Sequence, residues 1–420
     1  MKAPDFNDIH RMNGTDAARQ AFDDAFSPGG DRPWWRDPAT IPPRQFLHGR
    51  HYIRRAISAT IAGGGRGKTT LGCFEAVTMA AGFDLATREP LAGGPLRVWL
   101  GNGEEDQDEL DRRVAAVCQR YRISEADLGG RLFVQSVRDL RIATTINSVA
   151  TIDSNAKRRM VDFILDNRID VFVIDPLVSF HDVPENDNAA MDKVIKQGFG
   201  AVAAETNAAG ELFHHPGKPK PGQAETVVED GRGASAILWA VRSARVLNFM
   251  SPTEAAQLGM SEEERRLYIR ITNGKANMGP LGKAKWMKIE VENLANGDQV
   301  ACASSWTPPN PFQGVTAADV ELAQQLAQTG AYRDDSRSPD WFGYALAKQL
   351  GINVTCNGAN NPKDLAKLKS IIKTWKQNNV LAVEQREGEH RKPKAYIVPG
   401  PAASGRVRPA NYDDDEAVLH

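Results

Sequence analysis

Short apolar runs alternate with amphipathic stretches from about residue 44 to 300. The segments 57–61, 96–101, 131–136 and 170–175 are rich in β-branched and aromatic residues and short enough for buried strands. Between them, 67–81, 155–167 and 188–208 read as helices, and Met160, Phe163 and Ile164 share one face of the second. The stretch 231–249 opens with small residues, becomes helical and ends as a strand, while 267–272 and 286–291 alternate like a closing hairpin. Strands alternating with helices predict an α/β domain over 44–300. Its sheet would be mostly parallel, with helices on both faces and a ligand at the carboxyl ends of the strands.

On either side the pattern changes. Pro and Gly break up 1–43, which is expected to be a flexible lead-in stapled by Trp34 and Trp35. Trp306-Thr-Pro-Pro-Asn-Pro-Phe312 predicts a stiff linker over 301–315. Helices at 317–328, 341–350 and 361–376, then strands at 380–384 and 395–398 around a basic turn, predict a winged-helix-like domain over 316–400. The tail 401–420 ends in an acidic run and is expected to be disordered.

Candidate chemistry is densest where the first strand meets the first helix, at Ala62-Gly-Gly-Gly-Arg-Gly-Lys-Thr-Thr70. Gly63, Gly64, Gly65 and Gly67 let the backbone around Arg66 turn successive N–H groups toward a triphosphate. Lys68 adds a point charge and Thr69, followed by Thr70, a hydroxyl suited to a nucleotide-bound Mg²⁺; the positive end of the helix aims at the phosphates. Ala62 stands where the pattern G-x-x-x-x-G-K-[ST] has its first glycine. Asp175 closes an apolar strand and is placed to hold Mg²⁺ opposite Thr69.

Six acidic side chains fall within residues 104–111, at the start of a predicted helix whose dipole they suit. The first to leave the strand, Glu104, is placed to polarise an attacking water, with Glu105 as its competitor. His214, at a strand end, is a candidate sensor of a γ-phosphate. Behind it a Pro- and Gly-rich loop carrying Lys218 and Lys220 suits contact with a nucleic-acid strand. Arg232, Arg242 and Arg245 are candidates to meet a phosphate.

Composition narrows the partners. The chain has 420 residues, 41% hydrophobic and 25% charged, which is too long for one compact core. A net charge of −1 confines nucleic-acid contact to local patches. One such patch is 363–394, with nine Lys and Arg against four Asp and Glu. There Lys363, Lys367 and Lys373 lie away from the apolar face of Leu365, Leu368, Ile372 and Trp375. DNA contact and protein docking both fit such a face. Cys73, Cys118, Cys302 and Cys356 are scattered and match no metal spacing, as expected of reduced thiols in a cytoplasm. No apolar run approaches the roughly 20 residues that span a bilayer.

As an ordered set these motifs resemble the RecA-like ATPases of the AAA_25 group, which include RepA-type hexameric replicative helicases of plasmids and phages. The resemblance covers roughly residues 41–292. It is carried by Phe-Leu-His-Gly-Arg-His51 before the glycine-rich loop, the loop itself, Asn-Gly-Glu104-Glu-Asp, Ile-Asp175-Pro, His214-His-Pro-Gly-Lys218 and Arg232-Gly-Ala-Ser-Ala followed by Val-Arg242. It implies a RecA-like core, ATP and Mg²⁺ as cofactors, and single-stranded DNA as partner. It further implies a homo-oligomer, expected as a hexameric ring, and a replication initiator or primase as a further partner. By residue, it implies Lys68 and Thr69 on phosphate and Mg²⁺, Glu104 as base, Asp175 as metal acid, His214 as sensor and Arg242 as a finger on the neighbouring subunit's nucleotide. Two departures stand out. The family's Glu-Asp pair is Glu104-Glu105 here, and the Lys-x-Arg finger of bacterial replicative helicases reads Lys275-Ala-Asn277, which leaves Lys275 to assist Arg242. Candidate DNA contacts are Lys218, Lys220, Lys367 and Lys373. A nucleotide-switched adaptor without unwinding activity is the alternative function.

Overall fold

The computed structural model describes residues 35–217, 223, 225–231, 234–278, 282–387 and 393–401. Lys218, Lys220, Arg232, Trp34 and the acidic tail lie outside them. The chain divides into two units, the first ending at Gln45. Its described part holds one 3₁₀ turn, Pro38–Thr40, where the Asp37 carboxylate accepts a hydrogen bond from the amide of Ala39.

The second unit begins at Phe46 with a small pair, β1 (Phe46–His48) and β2 (Tyr52–Ile53). The phosphate-loop strand β3 (Ile57–Ile61) and helix α1 (Lys68–Ala81) follow, then β4 (Val98–Asn102), α2 (Gln107–Tyr121), α3 (Glu125–Leu128) and β5 (Leu132–Ser136). A hairpin of β6 (Ala143–Ile146) and β7 (Val149–Ile152) precedes α4 (Ser154–Asp166) and β8 (Val171–Asp175). Next come α5 (Asn188–Lys193), a π-helical stretch (Val194–Gly200), α6 (Ala201–Thr206), β9 (Ala209–His214), α7 (Ala234–Ala240), β10 (Ser243–Phe249), α8 (Pro252–Leu258) and α9 (Glu262–Arg265). Three long strands, β11 (Tyr268–Ala276), β12 (Lys285–Asn293) and β13 (Gln299–Trp306), complete the sheet.

The nine strands lie in the order β13-β12-β11-β10-β3-β9-β8-β4-β5. Those from β10 to β5 are parallel and the last three to join run antiparallel. Alternation sorts the parallel strands onto two cores. Val98, Leu100, Val171, Val173 and Phe213 pack with α1, while Trp99, Phe172, Ile174 and Leu212 pack with Met160, Ile164, Met191 and Phe199 on the other face. Burial on both faces is why these strands read as continuous apolar runs, and each such side chain contributes about 1.5–3 kcal/mol.

Residues 299–306 differ from expectation, since they form the edge strand β13 where the linker was expected to start. Gln-Val-Ala-Cys-Ala-Ser-Ser-Trp is too poor in large apolar residues to announce a strand. Pairing along all of β12, from Trp286 opposite Trp306 to Asn293 opposite Gln299, holds it. Beyond it, α10 (Ala317–Thr329), α11 (Phe342–Leu350) and α12 (Pro362–Gln377) pack around Phe342, Leu368, Ile372 and Trp375. They are followed by the hairpin β14 (Leu381–Glu387) and β15 (Pro393–Pro399). The amino end of α12 rests on α8 and α9. A Cβ at Gly259, the left-handed cap of α8, would overlap the Pro362 carbonyl, and Lys363 Nζ lies 2.8 Å from Glu264 Oε1.

Candidate functional site

The carboxyl ends of β3, β4, β8, β9 and β10 converge on the phosphate loop. Gly65 (φ +69°) and Gly67 (φ +74°) hold left-handed conformations that a side chain would strain. At Gly67 a Cβ would also press on Met287 and Ile269. Ala62 fits the first-glycine position because its methyl is wholly buried in an apolar cluster with Leu71, Leu247, Ile269 and Met287. Lys68 is nearly buried, its Nζ 3.0 Å from the Ala62 carbonyl, 3.3 Å from that of Gly63 and 3.2 Å from His215 Nδ1. Burial lowers its pKa, against the charges of Asp175 and Glu104. Thr70 is buried in α1, while Arg66 turns outward to Thr226 and Asn248.

Thr69 Oγ1 donates to Asp175 Oδ2 at 2.6 Å, so the hydroxyl and the strand-end acid expected to flank a metal do meet. Asn102 Nδ2 is 3.4 Å from the same oxygen, and its Oδ1 accepts from the amides of Glu104 and Glu105 at 2.8 Å each. Asn102 thus fixes the turn that presents both acids. In the sequence it stands out only as the first residue of the Asn-Gly-Glu104-Glu-Asp motif. Glu105 is committed to Arg113 through two bonds, at 2.7 and 2.5 Å. Glu104 is exposed, and its carboxylate has no hydrogen bond or ion pair among the described residues.

Asp175 is buried, and burial pushes its carboxyl up to about 6. The Thr69 hydroxyl and the charge of Lys68 pull against this shift, and Glu105 and Glu104 add to it. No cation is hydrogen-bonded to it among the described residues. A buried carboxylate beside a hydroxyl and short of positive charge fits one edge of a Mg²⁺ site whose other ligands are phosphate and water oxygens. Among the described residues no cluster of three or more His, Cys, Asp or Glu forms a self-contained metal site.

The two histidines separate by strand parity. Ile61 pairs with His214, so both point to the face away from α1; there His214 Nδ1 lies 4.0 Å from Glu185 Oε1, fully buried. His215 falls on the phosphate side. It touches Lys68 and, with Gly63, Gly64, Val178, Glu185 and Pro216, lines a cavity of about 280 Å³. The imidazole that faces the loop is therefore one position later than expected.

The arginines also separate. Arg245 does not meet a phosphate: it is buried beneath α1, with Nη1 and Nη2 on the Glu75 carboxylate at 2.7 and 2.6 Å and Nε on Thr60 at 2.7 Å. Around it, Tyr52 donates to Glu75 at 2.6 Å, Ser58 and Thr60 donate to Glu211, and His51 Nε2 lies 2.8 Å from Glu211. Arg242 is exposed just before β10, its amide bonded to the carbonyl of Ile57 at the start of β3. The length of β3, about 13 Å at 3.3 Å per residue, separates it from the phosphate loop of its own chain. Lys275 joins it at this edge through the pairing of β10 with β11, its Nζ donating to the Leu238 carbonyl.

On the C-terminal basic face, Lys373 is exposed and Lys367 half-buried, 3.5 Å from the Gln313 carbonyl. Lys363 pairs with Glu264, Lys376 with Asp334 and Arg386 with Glu384, so the face is less positive than its composition suggests.

No described helix is long and apolar enough to cross a membrane. Solved structures to which the chain is similar include a DnaB-like replicative helicase described with its interactions with primase, at 11% identity and TM-score 0.43, covering 67% of this chain and 71% of that one. A separately solved ATPase domain matches at 13% identity and TM-score 0.40, covering 59% and 85%. The RadB recombinase matches at 10% identity and TM-score 0.36, covering 57% and 89%. The AAA_25 family model, an AAA domain, matches residues 31–221, a span that holds the glycine-rich loop, the acids after β4, Asp175 and both histidines. Over that span the chain is similar to the AAA_25 family, and its mostly parallel nine-stranded sheet with helices packed on both faces is the α/β architecture expected from the sequence.

Proposed function

We propose that the chain is an ATP-hydrolysing motor that works on single-stranded DNA, a replicative helicase of plasmid or phage type assembled as a hexameric ring. The meeting of Thr69, Asp175, Asn102 and Glu104 at the mouth of the phosphate loop supports the ATP-hydrolysing part of this reading. In it, the loop amides and Lys68 hold the phosphates. Thr69 and Asp175 would hold Mg²⁺, which when bound supplies charge neutralisation on the phosphates. Glu104, with its carboxylate uncommitted, takes a proton from the attacking water; Glu105 is spent on Arg113 and stiffens the turn. Arg242 faces away from its own site and serves the nucleotide of a neighbour. Lys218, Lys220, Lys367 and Lys373 would contact DNA.

The test is ATP turnover with and without single-stranded DNA, together with a light-scattering mass. DNA-stimulated turnover by a ring-sized particle supports the motor, and DNA-independent turnover by a monomer removes it. A nucleotide-switched adaptor is the second reading, favoured by the internal pairing of Lys363, Lys376 and Arg386, which leaves the C-terminal unit better suited to a protein partner. A duplex-unwinding assay separates the two.

A further inference from the structure

A third carboxylate, Glu185, reaches the phosphate cavity from the connection between β8 and α5. Its sequence context, His181-Asp-Val-Pro-Glu-Asn-Asp-Asn188, announces only a polar loop. The fold pins that loop. Val183 is buried and its amide donates to His181 Nδ1 at 3.3 Å, while the Asp187 amide closes a turn on the Pro184 carbonyl at 3.0 Å. The Asp187 carboxylate then caps α5, accepting from Ala189 and Ala190 at 2.9 and 3.0 Å. Glu185 sits inside this turn with its side chain 13% exposed and Oε1 4.0 Å from Nδ1 of the fully buried His214. From there it lines the same cavity as Gly63, Gly64 and His215.

That cavity lies at the terminal-phosphate end of the loop. The lysine of such a loop reaches the β- and γ-phosphates, and Lys68 Nζ is held at the carbonyls of Ala62 and Gly63 and 3.2 Å from His215 Nδ1. A carboxylate there faces the terminal phosphate, and two anions at close range repel. A water between them removes the conflict. An ionised carboxylate only accepts hydrogen bonds, so it takes a hydrogen of the water and turns the lone pair of the oxygen toward phosphorus. We propose that Glu185 is a second catalytic carboxylate, accepting one hydrogen of the attacking water while Glu104 takes the other as a proton. The water oxygen bonds to the γ-phosphorus, and the bond to the β–γ bridging oxygen breaks with its electron pair going to ADP. The hydrogen held by Glu185 leaves with the phosphate. This rests on reading 62–70 as an ATP site.

The experiment measures single-turnover hydrolysis of ATP by the full chain, together with its affinities for mant-labelled ADP and a mant-labelled β,γ-imido analogue of ATP. Glu185→Gln keeps the shape and removes the charge, so it should slow hydrolysis roughly tenfold to a hundredfold, the loss that follows from a misoriented reactant. It should also tighten the triphosphate analogue roughly threefold to tenfold and leave ADP unchanged, because the repelled group is the terminal phosphate. Glu185→Asp keeps the charge but draws it back. Hydrolysis should fall there too, while the preference between the two nucleotides stays close to that of wild type. Normal hydrolysis by Glu185→Gln, beside an active wild type, overturns the proposal alone. Slower hydrolysis with weaker binding of both nucleotides also overturns it, by making Glu185 a support of the fold. A wild type that binds neither nucleotide overturns the ATP-site reading and the proposal with it.

Discussion

Glu75 and Asp175 are both buried carboxylates in contact with the elements around α1, and their surroundings drive them in opposite directions. Burial alone would raise the carboxyl of Glu75, but the charge and paired hydrogen bonds of Arg245, with help from His48 and Tyr52, bring it down to about 2. Asp175 meets the same burial with a hydroxyl, an amide and a lysine charge beyond bonding range, and it ends at about 6. The first carboxylate belongs to a closed network of Tyr52, Thr60, Ser58, Glu211 and His51 that asks nothing of solvent. The second is left in deficit at the mouth of a glycine-rich loop. Incomplete compensation of a buried acid, rather than burial, is what distinguishes a place where a ligand enters from a place that only holds the fold.

If the phosphate site is short of positive charge within its own chain, its largest dependence is on a cation from outside. Arg242→Ala is expected to cut ATP turnover by roughly 10³ to 10⁵ with no loss of stability, because the side chain is exposed. Mixing it with Lys68→Ala should restore activity at interfaces that join an intact loop to an intact arginine. Normal turnover by Arg242→Ala alone would sink the shared site.

Glu104→Gln comes next. It should keep nucleotide binding and lose roughly 10² to 10⁴ in hydrolysis, since the amide cannot accept the proton. Glu105→Gln should lose far less, and the reverse ranking would transfer the base to Glu105.

On the closed side, Glu75→Gln removes the nearer of two carboxylates from the Arg245 guanidinium, leaving Glu211 at 3.8 Å, and should cost about 3–5 kcal/mol in denaturant melts. A cost below about 1 kcal/mol would show that the network is not closed. Its pH window follows from a pKa lowered from 4.5 to about 2: the stabilisation is complete above pH 4.5 and lost as pH falls toward 2.

Asp175→Asn should do the opposite, abolishing hydrolysis while stabilising the nucleotide-free chain by up to about 3 kcal/mol, the equivalent of a shift of roughly two pKa units. Because the folded pKa is raised from 3.8 to about 6, wild type loses stability as pH rises through that window. The advantage of the variant should therefore grow from about pH 4 to 6 and then level off. A melt difference independent of pH would break the comparison.

The parts of this site that could be read in the sequence are those where one local pattern forces one geometry. Strand, glycine-rich turn and helix leave Lys68 and Thr69 little choice of position, and an apolar run closing on Asp175 brings that acid to the carboxyl edge. What could not be read depends on parity or on distant partners. Between adjacent His214 and His215, only the face covered by α1 decides which meets the loop. Arg245 looked like Arg242 in sequence, and its Glu75 partner lies 170 positions away. The strand β13 was hidden because its stability lies in pairing with β12 rather than in its own side chains.

The placement of Arg242 and the phosphate loop at opposite edges of one sheet has a genetic consequence under the shared-site reading. Each chain then owns halves of two active sites, so a defective copy joining a mixed ring removes more than its own share of function. Alleles at Arg242 and at Lys68 should both be dominant over wild type when co-expressed. In separate copies the two should complement each other, because each defect spares the half-site that the other destroys.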